Sequence, residues 1–159
     1  MKTILAAIDF SPATEAVIAI LDGLGRSHGS RILLLHVVPA PPPLAAYQMG
    51  EDESAQLMAA TEKDAARRLG EIAARLAGAA AETLTATGVP ADEIVREARA
   101  SGADCIVVGS HGHTALYELL VGSTTHGVLK KAACPVLIVP AARSKPAPMA
   151  ALKSAAAGQ

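Results

Sequence analysis

The sequence predicts an α/β protein, a doubly wound parallel sheet with helices on both faces. Two observations carry that expectation. Five short aliphatic runs alternate with segments of helical composition over 159 residues, and strict alternation of this kind builds a parallel sheet. The run Arg31-Ile-Leu-Leu-Leu-His-Val-Val38 is nearly all apolar, as a strand covered on both faces must be. Apolar residues make up 51% of the chain and aromatics only 2%, so the core is built from Ala, Val, Ile and Leu. The length suits one domain with a proper core.

The elements follow in order. Thr3 to Ile8 is an aliphatic strand run that ends at Asp9. Ser11-Pro12 reads as a helix start, with Ser as N-cap and Pro at the first helical position. Val17, Ile18, Leu21 and Leu24 fall at helical spacing, and Gly25 and Gly29 bracket the exit. After the second strand, Pro39 to Glu53 reads as a long loop, with Pro39-Ala-Pro-Pro-Pro43 and then Gly50-Glu-Asp-Glu53. Ser54 to Gly78 is a helix with the stripe Leu69, Ile72 and Leu76; Arg67, Arg68, Glu71 and Arg75 supply its polar faces. Glu82 to Thr87 alternates polar and apolar residues, which suits a half-exposed edge strand. Pro90-Ala-Asp92-Glu93 opens a helix with acids in its first turn, ending near Ser101-Gly102. Asp104 to Val108 is a short buried strand. Ser123 to Ala133 is the last helix, with Lys130 and Lys131 in its final turn, and Pro135 to Val139 is the last strand. Residues 1–141 form the expected domain. Residues 142–159, rich in Ala, Pro and Lys, form a low-complexity tail.

Composition excludes several classes. A formal net charge of −1 and the lack of a basic stripe with interleaved aromatics argue against a nucleic-acid partner or attraction to an acidic membrane. Cys105 and Cys134 form no CxxC pair and read as small hydrophobes, which fits a reducing cytoplasm. The apolar run at the N-terminus is short and interrupted by Asp9, so it reads as a strand rather than a signal peptide. No run approaches the roughly 20 apolar residues needed to cross a bilayer. A cytoplasmic protein is expected.

The chemistry centres on a glycine pattern. Gly109-Ser-His-Gly112 follows the apolar run Cys105-Ile-Val-Val108, and Gly122-Ser123-Thr124 follows nine residues after Gly112. Glycine lets backbone N–H groups approach an anion without a Cβ in the way. The helix that begins at Ser123 adds unpaired N–H donors and a partial positive charge. A phosphate is the ligand for such a turn. Asp9, Val37 and Gly109 each stand at or near a strand's carboxyl end, where sheets of this kind bind ligands.

These residues resemble the universal stress protein family of the UspA type. The resemblance covers about residues 1 to 140 and rests on Ile4-Leu-Ala-Ala-Ile-Asp9-Phe-Ser11, Leu34-Leu-His36-Val37-Val38, Ala103 to Gly112, Gly122-Ser123-Thr124 and Cys134-Pro135-Val-Leu-Ile-Val-Pro140. The spacing G-x2-G-x9-G-[ST] marks the family's ATP-binding branch. The resemblance implies a five-stranded parallel, Rossmann-like sheet in the order 3-2-1-4-5. It also implies roles at an adenine-nucleotide site. Asp9 would bind the ribose hydroxyls and Ala7 would line the cleft beside it. Val37 would meet adenine through backbone and aliphatic contact. Val108 and Gly109 would lie against ribose and phosphates. Gly112, Gly122, Ser123, Thr124 and Thr125 would surround the phosphates. His113 and Ala115 depart from the family's commonest Arg or Lys and Gly at those positions, and a neutral imidazole offsets phosphate charge less than Arg does. ATP, ADP or AMP, with Mg²⁺, is the implied ligand, and His113 weakens ATP relative to the other two.

Each feature also has a plainer reading. Asp9 can serve as a turn carboxylate, Ser123 as an N-cap, and the glycines as turn formers. His111, His113 and His126 lack a Cys or carboxylate to complete a metal set, so no metal site beyond the nucleotide's Mg²⁺ is expected. His36 reads as a structural histidine. There is no GxSxG elbow and no Walker lysine, so any ATP hydrolysis should be slow. The apolar edge strand Val136–Val139 is a liability unless covered, and the family's habit implies a homodimer through it. Three functions remain: a nucleotide-binding stress-response regulator with a protein partner, a slow Mg-dependent ATPase or phosphotransferase, and a nucleotide-independent interaction module.

Overall fold

The computed structural model describes residues 2–41, 50–76, 79–110 and 122–140. Five strands, β1 (Thr3–Ala7), β2 (Arg31–Val38), β3 (Ala81–Thr87), β4 (Cys105–Gly109) and β5 (Val136–Val139), form one sheet. Four helices connect them: α1 (Thr14–His28), α2 (Glu51–Arg75), α3 (Pro90–Ala100) and α4 (Ser123–Lys131). The sheet order is β3-β2-β1-β4-β5 and every pairing is parallel, as the sequence and its resemblance led us to expect. β1 lies at the centre, with Leu5 between Leu33 and Ile106. The chain winds outward from β1 to β3, then crosses back to β4. The switch in direction falls between β1 and β4.

The period-2 alternation of the strands divides the core in two. Ile4, Ala6, Ile32, Leu34, Cys105 and Val107 face Val17, Ile18 and Leu21 of α1 and Leu69, Ile72 and Leu76 of α2. Leu5, Leu33, Leu35, Val37, Ile106 and Val108 face Ile94, Val95 and Ala98 of α3 and Val128 of α4. Each fully buried Leu or Ile contributes about 1.5–3 kcal/mol. Cys105 belongs to the first layer and Cys134 packs on the second; burial pushes the Cys105 thiol up from its ordinary pKa.

Several boundaries differ from the sequence reading by a residue or more, and three have an identifiable local cause. α1 begins at Thr14 with Ala13 as N-cap, not at Ser11-Pro12. The Ser11 hydroxyl instead accepts the Ala13 N–H at 3.3 Å, and the Thr14 N–H bonds the Ser11 carbonyl, so these residues close a turn before the helix. Gly25 does not mark the helix exit. It sits inside α1 where a Cβ would lie 2.5 Å from the Ala79 Cβ, and the exit is made by Gly29, whose φ is 60°. Finally, α2 starts at Glu51 rather than Ser54, because acids are favoured in a helix's first turn. The tail 142–159 lies outside the described residues. Among those described, no helix is long and apolar enough to cross a membrane.

Candidate functional site

A cleft of about 370 Å³ opens at the carboxyl edge of the sheet, beside the switch point. Ala7, Ile8 and Asp9 enter it from the end of β1. Leu35, His36 and Val37 enter from β2, followed by Pro39, and Val108 and Gly109 from β4. Gly122 to Thr125 bring the N-terminus of α4, and Pro90 and Ile94 of α3 close the apolar side. Every site residue named from the sequence that lies in a described segment is therefore here: Ala7, Asp9, Val37, Val108, Gly109, Gly122, Ser123, Thr124 and Thr125. Gly112, with His111, His113 and Ala115, lies outside the described residues.

The α4 end of the cleft is built from backbone. Gly122 is the N-cap of α4, and no side chain caps this end. The His126 N–H makes the first intrahelical bond, to the Gly122 carbonyl at 2.9 Å, so the N–H groups of Ser123, Thr124 and Thr125 have no acceptor within the helix. They give this end its partial positive charge. Ser123 is the first helical residue rather than the cap, and its side chain is exposed. Thr125 is 4% exposed, and its hydroxyl donates to the Gly109 carbonyl at 2.8 Å. That bond ties α4 to the end of β4. The Gly122 N–H adds a second tie, to the Ser110 carbonyl, while the Ser110 N–H joins the end of β4 to the Val139 carbonyl of β5.

The β1 end is built differently. Asp9 is exposed and its Oδ1 accepts the Ser11 N–H at 2.9 Å. A carboxylate has about four lone-pair directions, so this turn bond does not exhaust its acceptor capacity. Phe10 has φ 58°, the one positive value at a non-glycine among the described residues, a conformation that costs about 1–3 kcal/mol. Its ring lies 4.5 Å from the His36 ring, tilted by 33°. The Arg68 guanidinium covers it at 3.8 Å from the ring centre. His36 Nδ1 bonds the Ile8 carbonyl at 2.7 Å; a carbonyl only accepts, so Nδ1 carries the proton. His36 thus has the structural role read from the sequence and also borders the cleft. As cleft residues, Ile8, Leu35, His36, Pro39, Pro90 and Ile94 escaped the sequence reading. The signal for Pro90 and Ile94 was their place in the first turn and a half after a strand end. For the others it was adjacency to residues already named.

The chain belongs to the universal stress protein family, whose sequence profile matches residues 1–140. Universal stress protein MJ0577 of Methanocaldococcus jannaschii is 30% identical over 87% of this chain and 94% of its own length. Its solved structure has a TM-score of 0.79, with 31% identity, covering 90% of this chain and 98% of that one. A universal stress protein in complex with cAMP shares the fold at 20% identity and a TM-score of 0.62, covering 89% of this chain and 98% of that one. One from Archaeoglobus fulgidus in complex with dAMP shares it at 22% identity and 0.59, covering 87% and 97%.

Proposed function

We propose that this chain binds an adenine nucleotide in the cleft at the carboxyl edge, and that occupancy is read by a protein partner in the response to stress. The observation that carries the reading is the convergence of three chemistries in one cleft. The α4 N-terminus offers uncommitted backbone donors to phosphates. Asp9 offers a carboxylate to the ribose hydroxyls. Val37, Val108 and Ile94 offer aliphatic walls to the base. The cleft's volume falls in the range of small-molecule sites, about 300–1,000 Å³. The cAMP and dAMP held by two fold relatives support the same class of ligand. ATP with Mg²⁺ is the form we favour, the metal arriving as the counter-ion of the triphosphate, with ADP or AMP as competitors for the same cleft.

We extend the reading to a cytoplasmic homodimer. Leu137 on the edge strand β5 is 38% exposed, and pairing with a second β5 would cover it with two-fold symmetry.

Calorimetric titration of nucleotide-stripped protein with Mg-ATP tests the nucleotide reading, beside a Gly122→Val variant whose folding is checked by circular dichroism. A Val side chain at the N-cap crowds the phosphate approach. Saturable binding by the parent chain and at least tenfold weaker binding by the variant are expected. No binding by the parent at millimolar Mg-ATP would overturn the reading.

A further inference from the structure

We propose that His36, with Phe10 and Arg68, is a positioning device that fixes the Asp9 carboxylate for the ribose, and so sets preference for a ribose bearing both hydroxyls. The inference rests on the nucleotide reading above. Asp9 is exposed at the cleft rim, and its carboxylate accepts the Ser11 N–H at 2.9 Å. Its two neighbours in sequence are both held by one side chain. His36 Nδ1 donates to the carbonyl of Ile8 at 2.7 Å, and the His36 ring packs on Phe10 at 4.5 Å. Ile8 is pinned a second time through its N–H, which donates to the Leu35 carbonyl at 2.8 Å.

The backbone conformation of Phe10 shows why such a device is needed. A left-handed φ of 58° would be filled without strain by glycine, yet a bulky aromatic stands there. Strained residues persist where their surroundings over-determine them. Here the ring packs on the His36 imidazole at 4.5 Å, and the Arg68 guanidinium lies over it, 3.8 Å from its centre. The stack reaches from α2, on one face of the sheet, to the residue beside Asp9. The left-handed turn sends Phe10 toward α2 while Asp9 stays at the cleft. A carboxylate held this way is organised before the ligand arrives, so less ordering opposes binding.

The test compares Mg-ATP with Mg-2′,3′-dideoxy-ATP, by calorimetry, on the full chain. The dideoxy analogue keeps base and phosphates and lacks both hydroxyls that Asp9 would accept from. Charge-assisted hydrogen bonds of this kind make the parent chain prefer ATP by about tenfold or more. His36→Ala should bring that ratio close to one, as should Asp9→Ala. Phe10→Gly, which relieves the strained φ and so is expected to fold, should lower the ratio in the same way. His36→Asn, whose amide can still donate to the Ile8 carbonyl, should restore part of it. A His36→Ala or Phe10→Gly protein that keeps the parent ratio would overturn the inference and leave the nucleotide reading intact. Equal loss for both nucleotides would also overturn it, by showing that His36 touches the ligand's common parts. A parent chain that binds neither nucleotide overturns the nucleotide reading and this inference with it.

Discussion

Gly23 and Gly25 stand two positions apart on α1 and obey opposite demands. Gly23 is exposed, and a Cβ there would meet nothing within 4 Å. Gly25 is buried, and a Cβ there would lie 2.5 Å from the Cβ of Ala79, an atom with no torsion that could move it aside. Gly23→Ala should therefore stabilise the protein by about 0.5–1 kcal/mol through helix propensity. Gly25→Ala earns the same propensity but suffers an overpacking cost of about 1–3 kcal/mol, and the net change is destabilising. Thermal melts should move in opposite directions, by about 2–4 °C per kcal/mol for a chain of this size. Melts that rise for both variants would show that α1 and Ala79 are not in close contact. The sequence could not separate these glycines, because the meaning of Gly25 lies in a residue distant along the chain. Asp9 was legible because it ends an aliphatic run at a strand's carboxyl end. Thr125 was legible as a cleft residue but not in its bonding. Its hydroxyl proton is committed to Gly109, so what it can offer a phosphate is its backbone N–H.

At the scale of elements, the strands were the most legible. The nearly continuous apolar run of β2 gave its bounds, Arg31–Val38, without error, because a strand covered on both faces carries few polar residues to blur its limits. Helix starts were less legible. Ser11 has the chemistry of a cap, but it stands two residues ahead of the N-cap Ala13 and its hydroxyl closes a turn onto the Ala13 N–H. The acids of Glu51-Asp-Glu53 read as loop by composition, although they suit the positive end of a helix. The edge strand β5 carries the prediction at this scale. Leu137→Lys places a charge on an already exposed position and should leave the fold of the single chain intact. It should also turn a dimer into a monomer in sedimentation velocity at micromolar concentration. A parent chain that sediments as a monomer, or a variant that stays dimeric, would remove β5 from the interface.

At the scale of the whole molecule, the sheet order does the work that no local motif can. It sets the ends of β1, β2 and β4 side by side, and so brings Asp9, Val37 and Gly109 to one cleft with the start of α4. The glycine spacing made the α4 end of the cleft legible. The wall from α3 was not legible, since Pro90 and Ile94 bear no chemical signature and reach the cleft only by packing against β2. Arg68, on α2, was read only as part of a polar face. Its place over Phe10 follows from the packing of α2 on the same face of the sheet as α1. The most direct measurement on the central claim is an amide chemical-shift map of isotope-labelled protein with and without Mg-ATP. The account predicts that the largest changes cluster at Asp9, Val37, Gly109 and Ser123 to Thr125, with α1 and the β5 edge little affected. Changes confined to other surfaces, with these amides unmoved at saturating nucleotide, would contradict it.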